Sequence, residues 1–469
     1  MKIRFYSSVI MLGLLVISSC NMQKEKKEAS PKVTFTGKEG EIKLVVLDPG
    51  HFHASLLQKF HQKQVNDTVL VYAPDGNELS QYLASIEGYN NRSENPTSWK
   101  EVVYSGNDYL EKMLDEKKGN VVILAGNNLK KTEYISKAIN AGYNVLSDKP
   151  MAINTENFEL LKSAFDSARA HNVYLYDVMT ERYDIMNAIS REIMKNKELF
   201  GDINPGTKEA PAIKLESVHH FYKEVSGNTL VRPAWFYDVD QQGEGIADVA
   251  THLVDLVHWI CFPDQAIDYE NDIAGITAKH WPTIMTLTEF SRSTKLDTFP
   301  AYLRKYVNNK GELEVFANGT INYSVNGKNA EVTVLWNYQA PQGAGDTYNA
   351  FIRGTRASIS IVQDKSTNYV EQLYILNNEN DTDFENKLSS AVAGLQSKYP
   401  YIALSPVSNG KYLIKIPVEN RKGHEDYFGF VARKFFDFLV QDSIPEWEVS
   451  NMLTKYYITT TALAAAMKN

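Results

Sequence analysis

Two short segments carry residues whose types and spacing could do acid, base or cation chemistry. In the first, Lys149 follows the short β-rich run at residues 143–146 and stands immediately before Pro150. Because proline disfavours the α region for the residue before it, Pro150 restricts the direction in which the Lys149 ammonium leaves the strand. The pattern indicates a positioned cation, with a solvated loop lysine as the ordinary alternative.

In the second segment, Asp248, His252 and Asp255 follow Gly243 and Gly245. Their i, i+4 and i+7 spacing places them on one face of a predicted helix, next to an apolar stripe. A carboxylate one turn from a histidine can raise its basicity, which suits a general base at a hydroxyl group. A surface ion pair is the alternative.

Two further histidines, His219 and His220, lie in the strand-like segment Ile213–Tyr222, so a metal site is an alternative interpretation. No HExxH motif is present, and histidines on strands more often pack or contact substrate than bind a metal. We therefore predict no metal centre.

The elements around Lys149 form a βαβ unit. The run at residues 121–128 is apolar and ends in Gly126, Asn127 and Asn128, an amphipathic helix is predicted over 129–140, and Gly142 precedes the next strand. Such units build parallel sheets, whose ligands bind at the carboxyl ends of the strands. Lys149 lies at such an end.

The first predicted strand, residues 42–47, leads into a turn and a helix predicted to run through Phe60. A dinucleotide fingerprint there would read G-x-G-x-x-G, but only Gly50 remains, with Asp48 and His53 at the outer positions. Three interpretations stay open: His51 or His53 lies near the phosphates, the histidines are structural, or the cofactor has been lost. Asp75, after the second predicted strand at residues 68–73, is a candidate ribose-binding acid or a plain turn residue.

The N-terminus resembles a bacterial lipoprotein signal. Lys2 and Arg4 precede an apolar run at residues 9–17, which is too short to span a membrane, and Ser18-Ser19-Cys20 follows. We predict a signal peptide over 1–19, lipidation of Cys20 and a flexible tether over 20–40, in an exported protein anchored to the membrane on its periplasmic or outer face. A plain signal peptide is the alternative.

Composition excludes some classes of function. The net charge of −8 makes nucleic acid an unfavourable partner. The chain has two cysteines, so with Cys20 lipidated, Cys261 has no partner for an internal disulfide. Stability must therefore come from the hydrophobic core.

These motifs resemble those of the Gfo/Idh/MocA oxidoreductases, and the resemblance covers nearly the whole chain after the tether. It rests on the order Asn127-Asn128, Ala141-Gly142, Asp148-Lys149-Pro150, Glu181-Arg182-Tyr183 and then Asp248, His252 and Asp255. It implies an α/β fold, with an N-terminal Rossmann dinucleotide-binding domain over 41–178 and an α/β substrate domain with a large, mainly antiparallel sheet over 179–469.

The resemblance also implies roles for individual residues. Lys149 matches the family's EKP lysine, which touches the substrate hydroxyl and the nicotinamide side, although Asp148 stands where the family has Glu. Asp248 and His252 match its catalytic pair, with His252 as acid/base. We expect NAD or NADP, tightly bound, to contact Gly50, His51, His53, Asp75, Asn127 and Lys149. We expect the substrate to contact Arg182, Tyr183, His220 and Asp255.

From this resemblance we expect hydride transfer between NAD(P) and a hydroxyl-bearing carbon of a carbohydrate, glycoside or cyclitol. Two alternatives remain: glycosidase-type cleavage through transient oxidation of the sugar, and a sugar-binding lipoprotein without catalysis. Self-association is left open. His424 is expected either in the site or on the surface, and residues 85–99 and 377–399 are expected to be irregular or inserted surface segments.

Overall fold

The structure is a computed structural model that describes residues 34–225 and 228–468. The predicted signal peptide, the lipidation site Cys20 and most of the predicted tether lie outside the described residues. Phe35, which belongs to the predicted tether, is buried in the hydrophobic core. Within the described ranges, no helix combines the length and apolar character that crossing a bilayer requires.

The first part of the chain alternates strands and helices. Its strands are β1 (Leu44–Leu47), β2 (Thr68–Ala73), β3 (Lys100–Ser105), β4 (Val121–Leu124), β5 (Asn144–Asp148) and β6 (Leu175–Val178). Its helices are α1 (His53–Leu56), α2 (Asn77–Asn91), α3 (Tyr109–Glu116), α4 (Asn128–Asn140) and α5 (Thr155–His171).

The six strands form one parallel sheet in the order β3-β2-β1-β4-β5-β6. Strands β1 and β4 are four-residue runs of Leu, Val and Ile in which every residue is buried. Such continuous apolar strands are typical of parallel sheets that are covered by helices on both faces. The predicted Rossmann domain is confirmed, and the order of strands reverses between β1 and β4, where ligands bind in this fold.

The second part of the chain begins with α6 (Ile185–Lys195) and α7 (Lys197–Phe200). The strands that follow are β7 (Ile213–Tyr222), β8 (Glu224–Val225), β9 (Asn228–Thr229), β10 (Ile273–Met285), β11 (Leu313–Val325), β12 (Lys328–Gln339), β13 (Thr347–Arg353), β14 (Ala357–Val362), β15 (Gln372–Asn377), β16 (Ala403–Ser408) and β17 (Lys411–Lys415). The remaining helices are α8 (Val239–Gln242), α9 (Ala250–Cys261), α10 (Leu287–Thr294), α11 (Phe384–Leu395), α12 (His424–Gln441) and α13 (Glu446–Ala466).

A large sheet dominates this part, in the order β10-β11-β12-β7-β13-β14-β15-β17-β16. All its pairs are antiparallel except β12 with β7. Buried and partly exposed residues alternate along much of β11 and β12, because one face of the sheet packs on helices and the other is more open. The expected large, mainly antiparallel sheet is therefore confirmed.

The last two helices return to the first domain. Phe428 and Phe435 of α12, and Met452 and Tyr456 of α13, are buried in the same core cluster as the strands of the parallel sheet. The C-terminal segment thus helps to complete the Rossmann core and places the start of α12 beside the carboxyl ends of the strands.

Three local expectations are wrong. Helix α1 ends at Leu56 after a single turn, whereas the helical pattern was expected to continue through Phe60. Residues 85–91 belong to α2, and α11 lies within the segment 377–399, which was expected to be irregular. Each helix does carry apolar residues at helical spacing, such as Leu79, Tyr82 and Ile86 in α2 and Phe384, Leu388 and Val392 in α11, so the periodic signal was present and the sequence analysis missed it.

Candidate active site

Lys149 follows the carboxyl end of β5 and makes a buried ion pair. Its Nζ donates to Asp248 Oδ1 at 2.6 Å, and the two side chains are 11% and 7% exposed. Asp248 Oδ2 accepts a second hydrogen bond from Gln242 Nε2 at 3.0 Å. The Lys149–Pro150 peptide bond is cis. The Rossmann sheet therefore supplies the cation, and the turn before α9 supplies the anion.

The glycines before Asp248 are required by the path of this turn. Gly243 has φ +90°, a conformation that L side chains rarely adopt. A Cβ on Gly245 would lie 1.8 Å from the carbonyl oxygen of Ala317 in β11, so the chain passes too close to the sheet for any side chain. The close packing holds the turn against β11 and fixes where the Asp248 carboxylate stands.

His252 lies in the first turn of α9, and its Nδ1 is buried without a hydrogen-bond partner. Burial lowers the pKa of His252 well below its usual value, and the nearby Lys149 ammonium lowers it further. The imidazole is therefore neutral at neutral pH, which leaves it able to accept a proton.

The predicted pairing of Asp248 with His252 is not what the structure shows. Helix α9 begins at Ala250, so Asp248 lies in the turn before it rather than one helical turn from His252. The Asp248 oxygens are bonded to Lys149 and Gln242. Asp248 therefore orients the lysine rather than the imidazole.

Two predicted substrate residues, Arg182 and Asp255, belong to a buried ionic network instead. Arg182 Nε and Nη2 each donate to the Asp255 carboxylate at 2.6 Å, and Arg182 Nη1 donates to Glu448 at 2.7 Å. Lys455 bridges Asp255 at 2.7 Å and Asp177 at 2.8 Å. These groups are at most 6% exposed and satisfy one another, so we assign them the role of joining α9 and α13 to the Rossmann domain.

The other predicted substrate residues lie on separate elements. Tyr183, in the turn after β6, packs its ring 5.8 Å from Phe430. His220, on β7, is buried, and its Nδ1 lies 2.9 Å from Asp346 Oδ1. The neighbouring His219 stacks on Trp336, with ring centroids 5.1 Å apart.

His424 begins α12 and reaches this region. Its Nε2 lies 3.5 Å from Glu181 Oε1, and its ring centroid lies 6.0 Å from that of His53. The His424 side chain is 46% exposed, so this histidine lies at the surface while its ring reaches the strand ends.

The loop after β1 differs from a phosphate-binding loop in its hydrogen bonds. Asp48 has φ +49°, and its carboxylate accepts a hydrogen bond from Tyr134 at 2.9 Å. Burial raises the pKa of Asp48, and this hydrogen bond partly offsets the rise. The Gly50 amide donates to the Asp48 carbonyl at 2.8 Å and the His51 amide to the Ala125 carbonyl at 3.1 Å. These two amides are therefore not free to bind a phosphate.

A cleft of about 250 Å³ lies over the ends of β1, β2 and β4. Gly50, Asp75 and Asn127 line it, together with Trp235. Dinucleotide pockets are larger than this, so the cleft accommodates part of NAD(P). An acid after β2 and an asparagine at the start of α4 fit the nucleoside half of the cofactor, whereas the loop amides do not fit its pyrophosphate.

His51 and His53 face the strand ends rather than this cleft. His53 Nδ1 lies 2.9 Å from Asp148 Oδ2, and the two imidazole rings are in edge contact with centroids 4.0 Å apart. Burial lowers the pKa of both histidines well below the usual value.

The sequence analysis missed Lys131 of α4. This lysine is 2% exposed, its Nζ donates to Asn128 Oδ1, and burial lowers its pKa to about 8. Lys131 shares a helix face with the buried residues Tyr134, Ile135 and Ala138. That 3.6-residue period was the available signal for a lysine turned inward.

Both halves of the chain match known families. Residues 42–176 match the family described as "Oxidoreductase family, NAD-binding Rossmann fold", and residues 189–467 match "Putative oxidoreductase C terminal domain". A crystal structure described as "a putative oxidoreductase from Parabacteroides merdae" is 48% identical, with a TM-score of 0.90 over 93% of this chain and 100% of that chain. No protein with a curated description matches the chain.

More distant solved structures share the fold alone. Levoglucosan dehydrogenase in complex with NADH and levoglucosan is 15% identical, with a TM-score of 0.57 over 91% of this chain and 97% of that chain. Biliverdin reductase from Synechocystis in complex with biliverdin and NADP+ is 10% identical, with a TM-score of 0.56 over 91% and 99% of the two chains.

Proposed function

The chain belongs to the Gfo/Idh/MocA oxidoreductases, and we propose that it transfers a hydride between NAD(P) and a hydroxyl-bearing carbon of a carbohydrate, glycoside or cyclitol. The observation that carries the proposal is the buried Lys149–Asp248 ion pair, 2.6 Å long, at the strand ends near a neutral His252 whose Nδ1 has no partner.

The proposed roles follow from the charge and hydrogen-bonding state of each group. His252 accepts the hydroxyl proton, because burial keeps it neutral. Lys149 stabilises the alkoxide that forms as the proton leaves, and Asp248 fixes the position of the ammonium. Gly50, Asp75 and Asn127 would hold the nucleoside half of the dinucleotide. When bound, the nicotinamide supplies a hydride acceptor.

A carbohydrate substrate is supported by the side chains on β7 and β12. Trp336 stacks with His219, and Asp346 is held by His220 at 2.9 Å and by Lys223 at 2.6 Å. Trp336 is buried beneath His219, whereas His219, Lys223 and Asp346 are partly exposed and offer the donors and acceptors that suit sugar hydroxyls. Levoglucosan dehydrogenase, which shares the fold, has been solved with levoglucosan and with L-sorbose.

The proposal extends to where the protein works. We propose an exported lipoprotein anchored through Cys20, on the periplasmic or outer face, that holds its dinucleotide tightly and recycles it between two substrates. Tight binding would matter there because free NAD(P) is scarce outside the cytoplasm. Self-association into a homo-oligomer is compatible with this arrangement.

One observation favours cleavage of glycosides as a second candidate function. Glu181 has a raised pKa, chiefly because of desolvation, and lies 3.5 Å from His424 Nε2. A carboxyl group with a raised pKa beside an imidazole provides a second acid/base pair, which bond cleavage after transient oxidation requires and simple dehydrogenation does not.

The test begins with mass spectrometry of the purified protein for bound NAD(P), followed by product analysis with an aryl glycoside. An oxidised glycoside supports dehydrogenation, and free phenol supports cleavage. Lys149→Met is expected to reduce turnover about 100-fold to 1,000-fold, as loss of an oxyanion donor does. Lys137→Met, which removes an exposed lysine paired with Glu133, is the matched control. Absence of bound nicotinamide together with no binding of added NAD(P) would refute the proposal.

A further inference from the structure

Three potential metal ligands meet where the loop after β1 approaches the end of β5. His51, His53 and Asp148 each offer one ligand atom, and these atoms all lie within 4.8 Å of one another. The closest two, His53 Nδ1 and Asp148 Oδ2, are 2.9 Å apart. Both of these side chains are largely enclosed, at 12% and 6% exposed.

The 2.9 Å contact fits either a shared proton or a shared cation. Two ligand atoms bound to one zinc ion at about 2.0 to 2.1 Å are separated by about 2.8 to 3.4 Å for coordination angles of about 90° to 110°. A shared proton needs two partners only. The third group, His51, has no place in a proton bridge, whereas a metal ion requires it.

The loop is built to hold these imidazoles. The amides of Gly50 and His51 donate to the carbonyls of Asp48 and Ala125, which ties the loop to β4. The His53 amide approaches His51 Nδ1 at 3.3 Å, and His53 packs against Phe428 with centroids 4.5 Å apart. The backbone that binds phosphate in other Rossmann domains here orients two histidine side chains.

The surrounding charges permit a cation. Three lysines, Lys131, Lys149 and Lys223, act on these imidazoles. Asp248 pairs with Lys149 at 2.6 Å and Asp346 pairs with Lys223 at 2.6 Å, while burial lowers the pKa of Lys131 to about 8. Asp148 supplies a negative charge to the site itself. The ring centroid of His424 lies 6.0 Å from that of His53.

We propose that His51, His53 and Asp148 form a binding site for a divalent transition metal of the zinc class. Two imidazoles and one carboxylate are a ligand set that such ions prefer over Mg²⁺ or Ca²⁺. Three protein ligands leave a coordination position open for water or another ligand. Binding displaces the proton between His53 and Asp148, because a ligand atom must be unprotonated.

The test is calorimetric titration of the chelator-treated full-length protein with Zn²⁺ alone, with metal content of untreated protein measured in parallel. We expect one zinc per chain. His51→Ala and the isosteric Asp148→Asn should each weaken binding by about 100-fold or more, the upper range for loss of even an outer-shell partner. Circular dichroism of each variant verifies folding.

The control is His61→Ala. His61 and Asp67 form a histidine–aspartate pair of 2.8 Å at the surface, outside the three-residue cluster, so this variant should bind zinc as the wild type does. The proposal is overturned if the wild type binds no zinc, if folded His51→Ala or Asp148→Asn binds as tightly as the wild type, or if His61→Ala loses binding equally. Because the readout is metal binding, it is independent of hydride transfer.

Discussion

Replacing Lys455 by methionine is expected to be strongly destabilising, because this ammonium is fully buried between two carboxylates. Its Nζ lies 2.7 Å from Asp255 and 2.8 Å from Asp177, and its side chain is 0% exposed. At an effective dielectric constant of about 20, each contact is worth about 6 kcal/mol before desolvation. Desolvation offsets several kcal/mol, so we expect Lys455→Met to lower the free energy of unfolding by about 3 to 5 kcal/mol.

A double variant tests whether charge is the cause. The five-residue network of Arg182, Lys455, Asp177, Asp255 and Glu448 carries a net charge of −1 when all five groups are ionised. Lys455→Met leaves −2, and adding Asp177→Asn restores −1. The double variant should therefore recover part of the lost stability, with a coupling energy of about 1 kcal/mol or more.

The assay is urea denaturation followed by tryptophan fluorescence. The matched control is Arg169→Met, which breaks an exposed pair with Asp166 and should cost less than about 1 kcal/mol. If Lys455→Met costs no more than this control, or if Asp177→Asn makes Lys455→Met worse, the buried network does not stabilise the contact between domains as described.

Three further predictions concern the site and its supports. If neutral His252 is the base, kcat/KM for oxidation should stay level from neutral pH to below pH 6.5, because the lowered pKa of His252 delays its protonation. An acidic limb above pH 6.5 that vanishes in His252→Gln would contradict this. His258 is buried with both ring nitrogens unpaired, and its pKa is lowered to about 3, so below pH 6.5 the unfolded chain takes up a proton that the folded chain does not. The free energy of unfolding of the wild type should therefore fall there. Relative to the wild type, that of His258→Leu should rise by about 1.4 kcal/mol for each pH unit below 6.5, measured by urea denaturation at pH 8 and 5. Gly126→Ala would place a Cβ 2.3 Å from the Asp48 carbonyl and should weaken NAD(P) binding by calorimetry, whereas Gly88→Ala, with open space around it, should leave affinity unchanged.

The sequence was sufficient for elements defined by local pattern. Thr68–Ala73 is a strand over the predicted residues, and the strand Val121–Leu124 lies within the predicted apolar run, because short apolar runs between turn signals have few alternatives. Lys149 stands at a strand end because the same βαβ pattern fixes it. Local patterns therefore placed the cation.

Contacts between distant segments could not be predicted in this way. Four residues separate Asp248 from His252 whether both lie in one helix or Asp248 lies in the turn before it. The sequence therefore did not show that α9 starts at Ala250. The partner of Asp248 is Lys149, from another domain. Likewise, the helix face that carries Asp255 suggests a site residue, and only the fold shows that its carboxylate is paired with Arg182 and Lys455.

The most direct test of the proposed reaction is transfer of deuterium from a sugar to the cofactor. The full-length protein would be incubated with NAD and a glycoside deuterated at its ring carbons, and the reduced cofactor examined by mass spectrometry. We predict deuterium in the NADH formed by the wild type, and none above background with Lys149→Met that still binds NAD. Equal transfer by this variant, or no transfer by NAD-loaded wild type across a panel of deuterated glycosides and cyclitols, would contradict the account.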